Sequence, residues 1–192
     1  AACPWILNPA DPENTGIALP QSVILLEDSL EAPQSWQVNL GFTQRLGNSG
    51  LYFDLEGLYA EGDKEFYNFN SNWRGNDQPG RINPAYNAIN IRSNLGHSEY
   101  MAAIFSLNGT FGAGHMLTSS VTWAEKNNLS DDFTPEFPEG SPNDAADPEA
   151  EWGPSRSAED LRVVVSGIFR LPANFMFSGT WVYGSGQPWN HL

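Results

Sequence analysis

Residues 159–189 read E-D-L-R-V-V-V-S-G-I-F-R-L-P-A-N-F-M-F-S-G-T-W-V-Y-G-S-G-Q-P-W. Val163, Val165, Gly167, Phe169 and Leu171 alternate with Arg162, Val164, Ser166, Ile168 and Arg170. Past a short break, Phe175, Phe177, Gly179, Trp181 and Tyr183 alternate with Met176, Ser178, Thr180 and Val182. A period of two is the strand period, because successive side chains leave opposite faces of the pleat. Leu171-Pro172-Ala173-Asn174 is read as the turn: Pro fixes φ and donates no ladder hydrogen bond, and Asn tolerates left-handed geometry. Each run is about ten residues, twice the usual globular strand and about the length that crosses a bilayer at a tilt.

The same alternation recurs upstream. Trp36, Val38, Leu40 and Phe42 share one face; after the turn Gly47–Gly50, Leu51, Phe53, Leu55, Gly57 and Tyr59 share the face of a second strand. A third strand is expected over 98–111, with Met101, Ala103, Phe105 and Leu107 on its apolar face. A fourth follows Gly112-Ala113-Gly114 and carries Leu117, Val121 and Trp123. The reading is all-β: about six long antiparallel up-and-down strands in three hairpins, spanning 36–46, 51–60, 98–111, 115–124, 161–171 and 175–184. Two long segments separate the hairpins, 61–97 and 125–160, and both are read as irregular. Residues 1–31 are read as an entry segment, loop with one short apolar stretch at Val23–Leu26.

A soluble β-sandwich also has one apolar face per strand, so alternation alone does not choose between sandwich and barrel. Three features favour a transmembrane outer-membrane barrel: the strand length, the placement of all tight turns at one end and both long loops at the other, and Trp36, Tyr59, Trp123, Trp181 and Tyr183 on the apolar faces toward the long-loop end. Indole and phenol rings prefer the membrane–water interface, so these five read as an aromatic girdle. Six strands are too few to close a barrel, since known ones start at about eight; the chain is expected to be one segment of a barrel wall, without a plug domain.

Composition narrows the function. The net charge is −14 over 192 residues, so nucleic acid is an unsuitable partner, since phosphate binding needs a basic surface. Eleven acids against Lys126 and Arg156 concentrate that charge in 125–160. Cys3 is the only cysteine, which excludes an internal disulfide. Ala1-Ala2-Cys3 has the look of a lipoprotein cleavage site but lacks the preceding apolar segment, and the plainer expectation is a chain cut from a longer protein. His97, His115 and His191 have no metal-ligand spacing, and Asp131, Asp132, Asp144, Asp147, Glu149 and Glu151 do not match an EF-hand loop. Asp54 and Glu56 share a strand face and read as a polar barrel interior rather than an acid–base pair. Neither a Ser-His-Asp set nor a P-loop occurs. No cofactor and no metal are expected, and the chain is not expected to be an enzyme.

The residues resemble a known family in ordered pieces. Pro33-Gln34-Ser35-Trp36-Gln37-Val38-Asn39-Leu40-Gly41 is similar to the Pro-x-x-x-Gln-x-x-x-Gly strand entry of TonB-dependent outer-membrane receptors of the Oar-like branch. Tyr100-Met101-Ala102-Ala103 resembles their Tyr-x-Ala-Leu segment, and Ser120-Val121-Thr122-Trp123-Ala124 their Tyr-Thr-Trp-Ser strand end. Arg162 through Ser166-Gly167, then Leu171-Pro172, Ser178-Gly179 and Ser185-Gly186-Gln187-Pro188, resembles the family's order Arg-x-x-x-Ser-Gly, Leu-Pro, Ser-Gly, Ser/Thr-Gly-x-Pro. Leu161 stands where His often precedes the Arg, and Val121 where Tyr is usual. The resemblance covers about residues 30–190. It implies part of a receptor of about twenty-two strands that takes up a scarce, bulky nutrient. Its partners would be outer-membrane lipid, the transported ligand, and the TonB system acting through parts other than these strands. The remaining alternative is a secreted or cell-surface β-sandwich that binds glycans through exposed aromatics. Ligand contact is expected on the outer loops, at Phe66, Tyr67, Phe69 and Trp73 in the first and Phe133, Phe137 and Trp152 in the second. The acidic second loop is expected to repel anionic cargo and to favour a neutral or cationic ligand, peptide or glycan.

Overall fold

The computed structural model describes residues 20–73, 80–129, 131 and 147–188. Eight strands form one sheet: β1 Gln21–Leu26, β2 Gln34–Arg45, β3 Leu51–Asn70, β4 Tyr86–Phe111, β5 His115–Asn128, β6 Gly153–Pro154, β7 Leu161–Arg170 and β8 Met176–Gly184. The six long strands lie in the order β2-β3-β4-β5-β7-β8. Every pairing in that series is antiparallel. This is the up-and-down architecture that the alternation predicts, and the sheet does not close: β2 and β8 are its free edges.

The register explains why one face stays apolar. Phe42 opposes Leu55, Leu55 opposes Phe105, Phe105 opposes Val121, Val121 opposes Val163 and Val163 opposes Tyr183. One unbroken apolar row thus crosses all six strands, because a one-residue slip at any pairing would turn that strand's set to the other face. Aromatic pairs tie neighbouring rows: Phe42 with Phe53 at 5.8 Å between ring centroids, and Phe53 with Phe105 at 6.3 Å. The opposite face is polar and cross-linked. Thr43 donates to Asp54 at 2.7 Å, Asn108 donates to the other Asp54 oxygen at 3.3 Å, and the Ser166 and Thr180 hydroxyls lie 3.0 Å apart. Asp54 thus sits on the polar face in a hydrogen-bonded setting, as the alternation predicts.

A sandwich needs a second sheet over the apolar face. Among the described residues there is none, and Leu40, Phe177 and Trp181 remain 80%, 61% and 57% exposed. The buried set is correspondingly small and sits at the long-loop end: Tyr67, Ala102, Ala124, Leu129 and Ala158. The girdle residues all lie on the apolar face. Trp36 and Tyr59 approach to 5.2 Å, and Trp181 and Tyr183 stack at 6.2 Å.

Two features differ from the expectation. The segment 61–97 is not irregular throughout, because β3 continues to Asn70 and β4 begins at Tyr86. Beyond Glu61 apolar alternation shrinks to short runs, Tyr67 and Phe69 on β3 and Ile89 and Ile91 on β4, set among Asn and charged residues; ladder hydrogen bonds need only backbone, so the hairpin extends past a bulge at 62–67. β5 likewise reaches Asn128, beyond the expected end at 124. The second feature is β1, which runs parallel to β4. β5 stops opposite Ser98 and leaves the upper edge of β4 unpaired; β1 occupies that edge from Tyr86 to Arg92. The chain then returns to β2 past Asn94, which accepts from the Glu31 amide at 2.5 Å and donates to the Lys64 carbonyl at 2.6 Å. Lys64 also pairs with Glu31.

Candidate functional site

The aromatic residues expected to meet a ligand do not form one cluster. Tyr67 and Phe69 alternate onto the same face of β3, with rings 6.3 Å apart. Phe66 points the other way, beneath the Arg92 guanidinium at 5.8 Å. The strand extension separates them, since neighbours in a strand leave opposite faces. Tyr67 is 1% exposed and its hydroxyl meets no hydrogen-bond partner among the described residues. Burial pushes that hydroxyl well above its ordinary pKa, with the Glu151 and Glu149 carboxylates adding to the effect. Its ring is part of the packing at the rim rather than a surface presented to solvent. Phe133 and Phe137 lie outside the described residues.

Trp73 is different. It stands at the tip of the β3–β4 hairpin, bridged to Arg81, and is 46% exposed. The tip is built around Asn72, 1% exposed. Its side-chain amide donates to the carbonyls of Asn83 and Tyr86, both at 3.0 Å, and its side-chain oxygen accepts from the Asn83 amide at 2.6 Å. Asn70 fixes the entry to the turn by accepting from the amides of Asn72 and Ile89, each at 3.0 Å. These bonds substitute side chain for backbone where the ladder ends, which is what Asn does well. The result is an open cleft of about 570 Å³ lined by Asn70, Trp73, Arg81, Pro84, Asn87 and Ala88. Arg81 donates to the Asn87 side chain, and Asn87 in turn donates to Ser22 of β1 at 3.3 Å. The cleft therefore offers an aromatic face, a guanidinium and two amides, a set that can stack on a ring and hydrogen-bond its substituents. Arg81, Asn70 and Asn87 escaped the sequence reading. The signal for them was the density of Asn around a Trp; their convergence depends on the hairpin reaching its full length.

Trp152 belongs to a second rim element. Residues 147–158 return across the ends of β4 and β5, with a 3-10 turn at Pro148–Glu151 followed by β6, which pairs with Asn127 and Asn128. Trp152 stacks on His97 at 4.6 Å, and Glu149 lies 3.7 Å from the same imidazole. Asp131 anchors this strap. It accepts from Ser155 Oγ at 2.6 Å, Asn128 Nδ2 at 2.7 Å and the Arg156 amide at 2.8 Å. Burial works against ionisation of Asp131, but those bonds and the nearby Lys126 outweigh it and hold the carboxyl below its ordinary pKa.

A sequence model of the family described as "Outer membrane beta barrel domain" matches residues 2–190. No curated protein and no solved structure matches the chain.

Proposed function

The chain belongs to the outer membrane beta barrel domain family, and from that premise we propose that it forms part of the wall of a TonB-dependent receptor, in the Oar-like branch, that takes up a scarce, bulky nutrient. Its place is the bacterial outer membrane. The apolar row from Phe42 to Tyr183 faces lipid and the Asp54, Thr43 and Asn108 network faces the lumen, as the two sides of a large barrel require. An open edge has no water to satisfy it within hydrocarbon, so β2 and β8 each pair with further strands in the assembled barrel. Energy reaches such a receptor through TonB, by way of parts other than these strands, and the chain works in transport without catalysis.

The observation that carries the reading is the asymmetry of the sheet: short turns at one end, and at the other an extended rim with an exposed cleft at Trp73 and Arg81. On this reading the cleft is where ligand first meets the receptor. Uptake by the full-length protein tests it. Trp73→Ala and Arg81→Ala are expected to reduce ligand capture with surface display unchanged. Normal uptake in both variants removes the cleft from the mechanism.

A further inference from the structure

On the polar face, below the strap, lies a second and smaller cavity of about 250 Å³. Tyr100, Thr122, Lys126 and Arg162 reach it from three adjacent strands, and Glu159 closes it from the segment leading into β7. The register brings them together: Tyr100 opposes Lys126 across β4–β5, and Thr122 opposes Arg162 across β5–β7. Its floor is Ala124 and Ala158, both buried. Small floor residues leave the space that larger ones would fill.

The chemistry of the lining is lopsided. Tyr100, Thr122, Lys126 and Arg162 can all donate, while Glu159 is the one carboxylate in the lining. Glu159 accepts from Arg162 Nε at 2.7 Å, which leaves the other guanidinium N–H groups for a planar partner. Lys126 donates at 2.6 Å to the Ser157 hydroxyl, with the Asp131 carboxylate nearby but outside the lining, and keeps two further N–H donors. Two cations and three hydroxyls, Tyr100, Thr122 and Ser157, around one acid suit an anion with lone pairs on both oxygens. The volume is below that of a pocket for a whole drug-sized ligand, so it admits a head group rather than a bulky cargo. Outside it, the chain's acids concentrate in 125–160. A simple anion is steered away from that rim, whereas a molecule with a cationic end and a carboxylate end is attracted at one end and held at the other.

We propose that this cavity, where Lys126 and Arg162 converge beside Tyr100 and Thr122, binds the terminal carboxylate of a short cationic peptide on the lumen side of the wall. The inference rests on reading the polar face as the lumen. Charge-assisted bonds from Lys126 and Arg162 grip the carboxylate oxygens, and the Thr122 and Tyr100 hydroxyls fix its orientation.

The test uses the full-length receptor in outer-membrane vesicles. The probe is the tripeptide lysyl-alanyl-alanine, compared with its carboxy-terminal amide and with inorganic phosphate. Heat-modifiable migration of the assembled barrel is followed in parallel. The free acid is expected to bind at least about tenfold more tightly than the amide, the difference made by one charge-assisted hydrogen-bond set, and phosphate to compete weakly. Lys126→Met is expected to abolish the preference. Should Lys126→Met fail to assemble, Thr122→Val and Tyr100→Phe carry the test, each reducing free-acid binding with little change for the amide. Equal binding of acid and amide overturns the proposal, as does phosphate binding more tightly than the peptide. No peptide binding by a barrel that assembles normally overturns the cavity proposal alone, whereas a chain that never enters the membrane overturns the reading it rests on.

Discussion

The indole of Trp152 lies nearly parallel to the His97 imidazole, 20° apart in plane with centroids 4.6 Å from each other. Trp152 sits in the middle of the strap and His97 on the outer part of β4, so this ring contact helps tie the second long segment to the β3–β4 hairpin. The contact is local to the rim, where water reaches it, and it carries no part of the lipid-facing rows. Stability of the strap and stability of the wall can therefore be changed separately.

Trp152→Ala is expected to loosen the strap without unfolding the sheet. A stacked aromatic pair contributes about 0.5–1.5 kcal/mol beyond its buried area, so amides of 153–158 should exchange about 2- to 10-fold faster. Hydrogen exchange read by mass spectrometry checks this, with β7 and β8 as internal controls. Uniform acceleration across the sheet would show that the strap is not an independent unit.

Acidification should release the same strap. The folded-state pKa of Asp131 lies below its ordinary value of 3.8, so its contribution is complete above that ordinary value. It is lost as pH falls through the lower folded value. Strap exchange is expected to rise only in strongly acid solution. Asp131→Asn should show fast exchange already at neutral pH and lose that acid-dependent rise. A wild-type strap that stays equally protected when Asp131 is protonated, followed by the carboxyl infrared band, contradicts the anchoring role.

The two faces predict opposite tolerance to charge. Val165 lies on the apolar face opposite Trp181, and Ser166 on the polar face opposite Thr180. Val165→Arg should cost about 2–4 kcal/mol near the bilayer midplane, and Ser166→Arg far less, measured by refolding the full-length barrel into lipid vesicles. Equal costs would mean that the faces are misassigned.

Two turns predict opposite signs. Ala173 is left-handed, with φ of 61° beside Asn174 at 60°. An L side chain pays about 1–2 kcal/mol there; glycine relieves this while losing more entropy on folding. Ala173→Gly should stabilise by a net of about 0.5–1 kcal/mol. Gly50 also has positive φ, but a Cβ there would stand 2.0 Å from the Thr110 carbonyl oxygen. Gly50→Ala should destabilise by about 1–3 kcal/mol. Urea titration of both variants decides the signs, and a destabilised Ala173→Gly would count against strain at that turn.

What could be read before folding was whatever local periodicity records. Alternation from Trp36 to Phe42, and again from Val163 to Tyr183, identified the strands, their apolar face and their order, because each short turn forces its two strands to pair. The girdle followed from the same pattern, since Trp36, Tyr59, Trp123, Trp181 and Tyr183 fall in phase with it. The tertiary structure decided what depends on pairing between distant segments. The extension of β3 to Asn70 and of β4 back to Tyr86 carries only the two-residue alternations Tyr67/Phe69 and Ile89/Ile91, too short to mark a strand, while backbone hydrogen bonds leave no trace in side-chain type. The parallel placement of β1 depends on an edge that exists only because β5 ends opposite Ser98. The partners of Trp73 and Trp152, Arg81 and His97, come from the far side of a hairpin and from another strand, and the cavity at Lys126 and Arg162 needs three strands in register. A sequence records which face a residue takes along its own strand; which residues meet across strands is fixed only when register closes the distance between them.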